Sequence, residues 1–188
     1  MFVSTYETQI TTMKKVLILS LLFCGSLAFA QTPKTDFGKE FLPFWEAAKK
    51  QSMEMARLIP EDKYSFVPAK GGRSIEKMLL HIAYAHHYMR RSFIGGEQLA
   101  YDSYEDRTGL SKAEIMELME QSFDDISTAL INITEEELKQ QVNAFGNKLT
   151  KEQMFYYFRD HGTSHVGKLK MAARMLGIRP PRYRFLDF

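Results

Sequence analysis

The chain has 188 residues, 45% of them hydrophobic and 26% charged, a composition that fits one globular domain and excludes a disordered or fibrous chain. Basic residues number 25 and acidic ones 23, a balance that carries no electrostatic footprint for nucleic acid. The single cysteine, Cys24, lies near the N-terminus, so once a leader is removed, cysteine nucleophile and cysteine-zinc chemistry are excluded.

Residues 1–30 read as targeting sequence. Met13 is a plausible true start, Lys14 and Lys15 form a basic n-region, Val16 to Leu27 an apolar h-region, and Ala28-Phe29-Ala30 a small-x-small cleavage pattern before Gln31. Residues 1–12 are then an upstream extension. The apolar run is shorter than the roughly 20 residues of a membrane span, and the bulky Phe23 argues against lipid attachment at Cys24. The expectation is an exported, periplasmic protein whose residues 31–188 form one domain with no stable membrane span.

Past the leader the pattern is helical almost throughout. A first helix is expected from Asp36 to Leu58, with Phe37, Phe41, Phe44, Trp45, Ala48, Met55 and Leu58 on one stripe. Pro60 ends it, and residues 63–72, with Pro68 and the Gly71-Gly72 pair, form a loop that packs Tyr64 and Phe66 on the bundle end. Ser74 caps a second helix running to about Phe93, closed by Gly95-Gly96, with Ile75, Met78, Leu79, Ile82 and Ala85 inward.

Ser111 with Glu114 is a capping box opening a third helix to about Ile131, with Ile115, Leu118, Met119, Ser122, Ile126 and Leu130 facing in. Thr134 with Glu137 heads a short extra helix, and residues 142–149, holding Asn143, Gly146 and Asn147, suit a turn or small hairpin. Thr150 with Gln153 opens the last helix, which Gly177 stops before Pro180-Pro181; its stripe reads Met154, Tyr157, Phe158, His161, His165, Leu169, Ala172 and Leu176. Four long amphipathic helices predict an all-α fold, a four-helix bundle with long inter-helix loops.

Two histidines therefore occupy core positions. His161 and His165 stand one turn apart on one side of a helix, the spacing at which two neutral imidazoles chelate a divalent ion without distorting the backbone. His81 follows Leu79-Leu80 and also points inward. Three histidine ligands leave an open coordination position for water or substrate, the arrangement of a reactive site rather than a structural one. A lone histidine on an apolar face is more often a satisfied core residue; three of the chain's five histidines on two inward faces favour the metal. His86 reads as a pocket or outer-shell residue, His87 as surface-directed, and Tyr84, Tyr88 and Tyr157 as neighbours able to orient a ligand, with aromatic packing their blander role. The residues between His161 and His165 are Gly162, Thr163 and Ser164, with no glutamate in the position an HExxH protease uses, which excludes that peptidase chemistry.

At this point the chain resembles the DinB-like (DinB/YfiT) superfamily of metal-binding bundles. The likeness is carried by Trp45, by Leu58-Ile59-Pro60, by Tyr64 through Pro68, by the Arg73-to-Ala83 segment containing His81, by His161 through Leu169, and by the Gly177-to-Tyr183 tail. It implies a four-helix bundle holding one divalent ion, nickel or zinc before iron or manganese, on His81, His161 and His165. Some relatives are thiol-dependent transferases or isomerases; the export signal departs from them, because low-molecular-weight thiols are scarce outside the membrane. The expected function is a metal-dependent enzyme of hydrolase or transferase type acting on an unknown small molecule. The alternative is a non-catalytic exported metal- or ligand-binding bundle, and a homodimer through a shared helix face suits either.

Overall fold

The computed structural model describes residues 32–99, 107 and 109–182, so the segment expected to be a leader, with Met13 and Cys24, and the terminal Tyr183 lie outside the described residues. Thr32–Phe188 form one compact unit. Helix α1 spans Asp36–Leu58, α2 Ile75–Met89, α3 Lys112–Asn132, the short α4 Glu135–Lys139 and α5 Lys151–Met175. A 3-10 turn at Glu61–Lys63 follows α1, and a hairpin of β1 (Gln141–Ala144) and β2 (Asn147–Thr150) joins α4 to α5. Among the described residues no helix is long and apolar enough to cross a membrane.

The boundaries follow the local chemistry. Thr35, Ser74, Ser111, Thr134 and Thr150 each accept a backbone N–H from the first turn they precede, and the last three complete capping boxes with Glu114, Glu137 and Gln153. Gly177, at φ +74°, lets the chain turn back so that Ile178 N–H reaches the Ala173 carbonyl at 2.9 Å. After α1, Tyr64 is buried and its hydroxyl donates to the Ala56 carbonyl at 2.9 Å, closing the helix end as expected.

The long helices pack as a four-membered ring: α1 and α2 each contact α3 and α5 and stand diagonally across the core from one another. Trp45 fills the centre, fully buried, and its indole N–H donates to the Phe123 carbonyl of α3 at 3.1 Å. Because α2 is enclosed by both neighbours, it is buried on more of its circumference than one stripe predicts, Leu80, Tyr84 and His86 included.

Three local expectations change. Leu58 is exposed: it lies thirteen positions beyond Trp45, about 220° round the helix, so Met53 and Ala56 take the inward places. Tyr157, expected on the inward stripe of α5, is 40% exposed, because that face centres on Phe158, Gly162, His165 and Leu169. The second helix does not continue in α geometry to Phe93; Arg90–Ile94 forms a π-helical turn, closed by Gly95 N–H on the Arg90 carbonyl at 2.9 Å. A side chain at Gly95 would sit 2.7 Å from the Arg91 carbonyl oxygen, so this close return needs glycine.

The hairpin is the tightest available. Two residues, Phe145 and Gly146, link the strands, and both have positive φ, +52° and +81°, as a type I′ turn requires. Asparagine and glycine meet that demand cheaply; phenylalanine does not.

Candidate metal centre

α2 delivers His81 and α5 delivers His161 and His165 to one point between the two helices. One imidazole nitrogen from each lies within 4.8 Å of the others. His161 Nε2 and His81 Nε2 are 3.2 Å apart, and the ring centroids stand 4.6 Å (His161–His165), 4.7 Å (His81–His165) and 5.1 Å (His81–His161) from one another. Two nitrogens each about 2.0–2.1 Å from a zinc-like ion at a tetrahedral angle are separated by roughly 3.4 Å. The closest pair is thus already at ligand spacing. His165 is buried while His81 and His161 are half-buried, so the point of convergence is closed on the core side and open on theirs.

The protonation states fit the same use. Burial, then the neighbouring His81, then the charges of Lys168 and Arg73, push the His161 imidazole down to about 4. Burial, then His161 and His81, with Lys168 and Arg73 adding to them, push His165 down to about 3. Both rings are therefore neutral at physiological pH with a lone pair available. A neutral imidazole has one donor and one acceptor nitrogen, so three convergent rings cannot satisfy one another pairwise, whereas a shared cation satisfies all three. Nδ1 of His161 and of His165 are buried without a hydrogen-bond partner, a cost of about 1–3 kcal/mol each.

The other residues singled out from sequence surround this point without joining it. His86 is completely buried behind it, 6.3 Å from His161 between ring centroids and edge-on to Trp45 (5.2 Å) and Phe123 (4.7 Å). Burial is the main force holding it down to about 3, with His161 adding to it; the Phe158 carbonyl pulls the other way without hydrogen-bonding geometry. The ring lies close to Gly162, where a Cβ would be in van der Waals contact with His86 Nε2 at 3.4 Å. Tyr84 is buried and stacked on Tyr88 at 6.0 Å. Tyr157 lies on the open side, its ring parallel to that of His161 at 6.4 Å. His87 is half-buried near Asp125, at 4.0 Å, and Arg91.

Sequence reasoning missed two features of this neighbourhood. Arg73 and Lys168 act electrostatically on His161 and His165; seven residues, two helical turns, separate Lys168 from His161, a spacing that places it on the same flank. Phe145 packs from the hairpin onto Tyr157, with 5.5 Å between ring centroids, a contact for which helical periodicity gives no signal.

Comparison with known proteins agrees with this architecture. Residues 32–188 match the model of the DinB family. The uncharacterised protein YjoA of Bacillus subtilis (strain 168) is 24% identical over 128 residues, covering 66% of this chain and 80% of its own. A crystal structure of a DinB-like protein from Bacillus cereus ATCC 10987 superposes with a TM-score of 0.66 at 18% identity, covering 77% of this chain and 95% of its own. YfiT from Bacillus subtilis, described as "a probable metal-dependent hydrolase with an unusual four-helix bundle topology", superposes with a TM-score of 0.64 at 13% identity over 82% of this chain and 96% of its own. The chain belongs to the DinB family, and its fold is that of the DinB-like four-helix bundles.

Proposed function

We propose that this DinB-family protein is an exported, divalent-metal-dependent enzyme of the hydrolase or transferase type, with His81, His161 and His165 as the ligands. The observation that carries the reading is the convergence of three imidazole nitrogens from two helices within 4.8 Å, two of the rings held neutral by burial. The donor set is nitrogen only, which suits nickel or zinc better than the oxygen-preferring ions. When bound, such an ion supplies Lewis acidity that polarises a substrate oxygen or makes water more acidic.

The chain's own residues do the rest. The buried His165 and the Trp45–Phe123 core behind it exclude water from one side, so a substrate approaches past His81, His161 and Tyr157. Lys168 and Arg73 give the site a positive field that favours an anionic group on the substrate or one developing in the reaction. The description of YfiT as a probable metal-dependent hydrolase supports this reaction class. The histidine cluster contains no carboxylate to act as general base, and that observation keeps a second reading, a non-catalytic metal- or ligand-binding module.

Plasma mass spectrometry on the protein and on a His81→Ala, His161→Ala, His165→Ala variant tests the centre. Near-stoichiometric metal in the parent alone, with turnover in an ester, amide and electrophile screen, supports the enzyme; metal without turnover supports the module. Absence of metal from both after supplementation removes the centre. N-terminal sequencing of protein secreted to the periplasm tests export; a start at residues other than about 31 refutes the leader.

A further inference from the structure

An aromatic strip leads from the metal centre to the tip of the hairpin. Tyr157 is parallel to His161 at 6.4 Å, Phe145 lies on Tyr157 at 5.5 Å with 30° between the planes, and Phe93 meets Phe145 edge-on at 5.3 Å. Phe93 is buried, but Phe145 is 55% exposed and Tyr157 40% exposed, so the strip presents ring surface to solvent on the side where the histidines open. Tyr157 lies one turn before His161 on α5 and Lys168 two turns after it, at opposite ends of the same helix face.

Phe145 is the informative member. It occupies the first position of a two-residue I′ turn at φ +52°, where a bulky side chain costs of the order of 1–2 kcal/mol relative to residues that tolerate the left-handed region. A turn selected only to close the hairpin would carry asparagine before Gly146. The phenylalanine is strained, largely exposed, and aimed at a ring that stacks on one of the three histidines. Strain of this kind, held by surrounding structure, clusters at ligand-binding positions.

We infer that Phe145 and Tyr157 form a specificity shelf beside the metal centre, on which a flat aromatic or conjugated group of the substrate stacks while its polar head faces the histidines. This rests on the proposed metal centre for the position of the head group, but the shelf itself is built from rings whose contacts do not depend on an ion. The aromatic faces supply non-directional, planar complementarity, which selects for substrate shape without engaging the reacting bond.

Phe145→Asn separates a binding role from a packing role. Asparagine relieves the turn strain, so the hairpin and the metal content should be kept, while the ring is lost. The probes are benzohydroxamate and acetohydroxamate, which share a metal-chelating head and differ by a phenyl against a methyl group, titrated calorimetrically onto the nickel-loaded chain. The parent is expected to bind benzohydroxamate about fivefold or more tighter than acetohydroxamate, within the range of one aromatic stacking contact. In Phe145→Asn the preference should fall to within about twofold, with acetohydroxamate affinity unchanged. An unchanged preference overturns the shelf, and a lowered melting temperature with unchanged preference assigns Phe145 to packing alone. If the parent binds neither hydroxamate, the metal centre fails and the shelf is judged on its own by benzyl alcohol titrated onto the metal-free chain. Shifts of the Tyr157 ring resonances that are lost in Phe145→Asn then uphold it, and their absence in the parent or their persistence in the variant overturns it.

Discussion

His165→Leu should change sign with metal. The imidazole is 6% exposed, sits at about 3 rather than its ordinary value because of burial, and leaves Nδ1 without a partner. Leucine of similar volume removes that orphan, so the metal-free protein should be unchanged or more stable by about 1 kcal/mol. With free metal at about a hundred times its dissociation constant, the parent gains about 2.7 kcal/mol from binding only the folded state. At about 2–4 °C per kcal/mol for a domain of this size, the parent's melting temperature should rise by roughly 5–11 °C on adding nickel or zinc. The variant should lose most of that rise. Differential scanning calorimetry with chelator and with each metal reads both signs on the same samples. Two results refute the reasoning: no metal-dependent rise in the parent, or a metal-free loss above about 2 kcal/mol in the variant, which would make His165 a satisfied core residue.

Acid should weaken the metal-free fold through His86. Its folded value, about 3, lies below the ordinary 6.5, with burial the main cause; the unfolded chain therefore takes up a proton that the folded one refuses. The stability is fully present above pH 6.5 and is lost as pH falls towards 3, reaching about 2 kcal/mol of loss at pH 5 from this one group. Urea unfolding at pH 7.5 and 5 in chelator measures it, and a His86→Leu variant with the same pH slope would refute the assignment. Tyr64→Phe removes the donor to the Ala56 carbonyl and should cost about 1 kcal/mol, read as a shift in the urea midpoint; no shift would mean water replaces the hydroxyl. Ser111→Ala removes half of a capping box and should cost about 1 kcal/mol, whereas Lys148→Ala on the exposed strand should be neutral in the same assay.

The helices were legible because their signals are local and redundant. Ser74, Ser111, Thr134 and Thr150 announce starts, Gly177 announces a stop, and α1 begins and ends at the expected Asp36 and Leu58. The convergence of His81 with His161 and His165 could be read from periodicity because each helix face points to one shared core. What periodicity could not supply is which helices are neighbours: α1 and α2 face each other across a diagonal, so α2 is enclosed by α3 and α5 and buries Tyr84 and His86 beyond its predicted stripe. Nor could it place Tyr157, whose flank position depends on where the face of α5 is centred, or reveal Phe145, whose sequence neighbours mark only a turn.

The departures from local rules are concentrated in one region. A π-helical turn at Arg90–Ile94, a phenylalanine in left-handed conformation at 145, and the buried, unpartnered Nδ1 atoms of His161 and His165 are linked through the ring contacts of Phe93, Phe145, Tyr157 and His161. Elsewhere the helices start at side-chain caps and the core is made of fully buried side chains around Trp45, with Pro43 inside α1 the exception to local preference. Sequences fold reliably when local and global preferences agree, and exceptions persist where function requires them. A buried imidazole without a partner and a strained exposed ring each lower stability. The strain at Phe145 lies on the open side of the three convergent histidines, where a ligand resting on the ring would recover its cost.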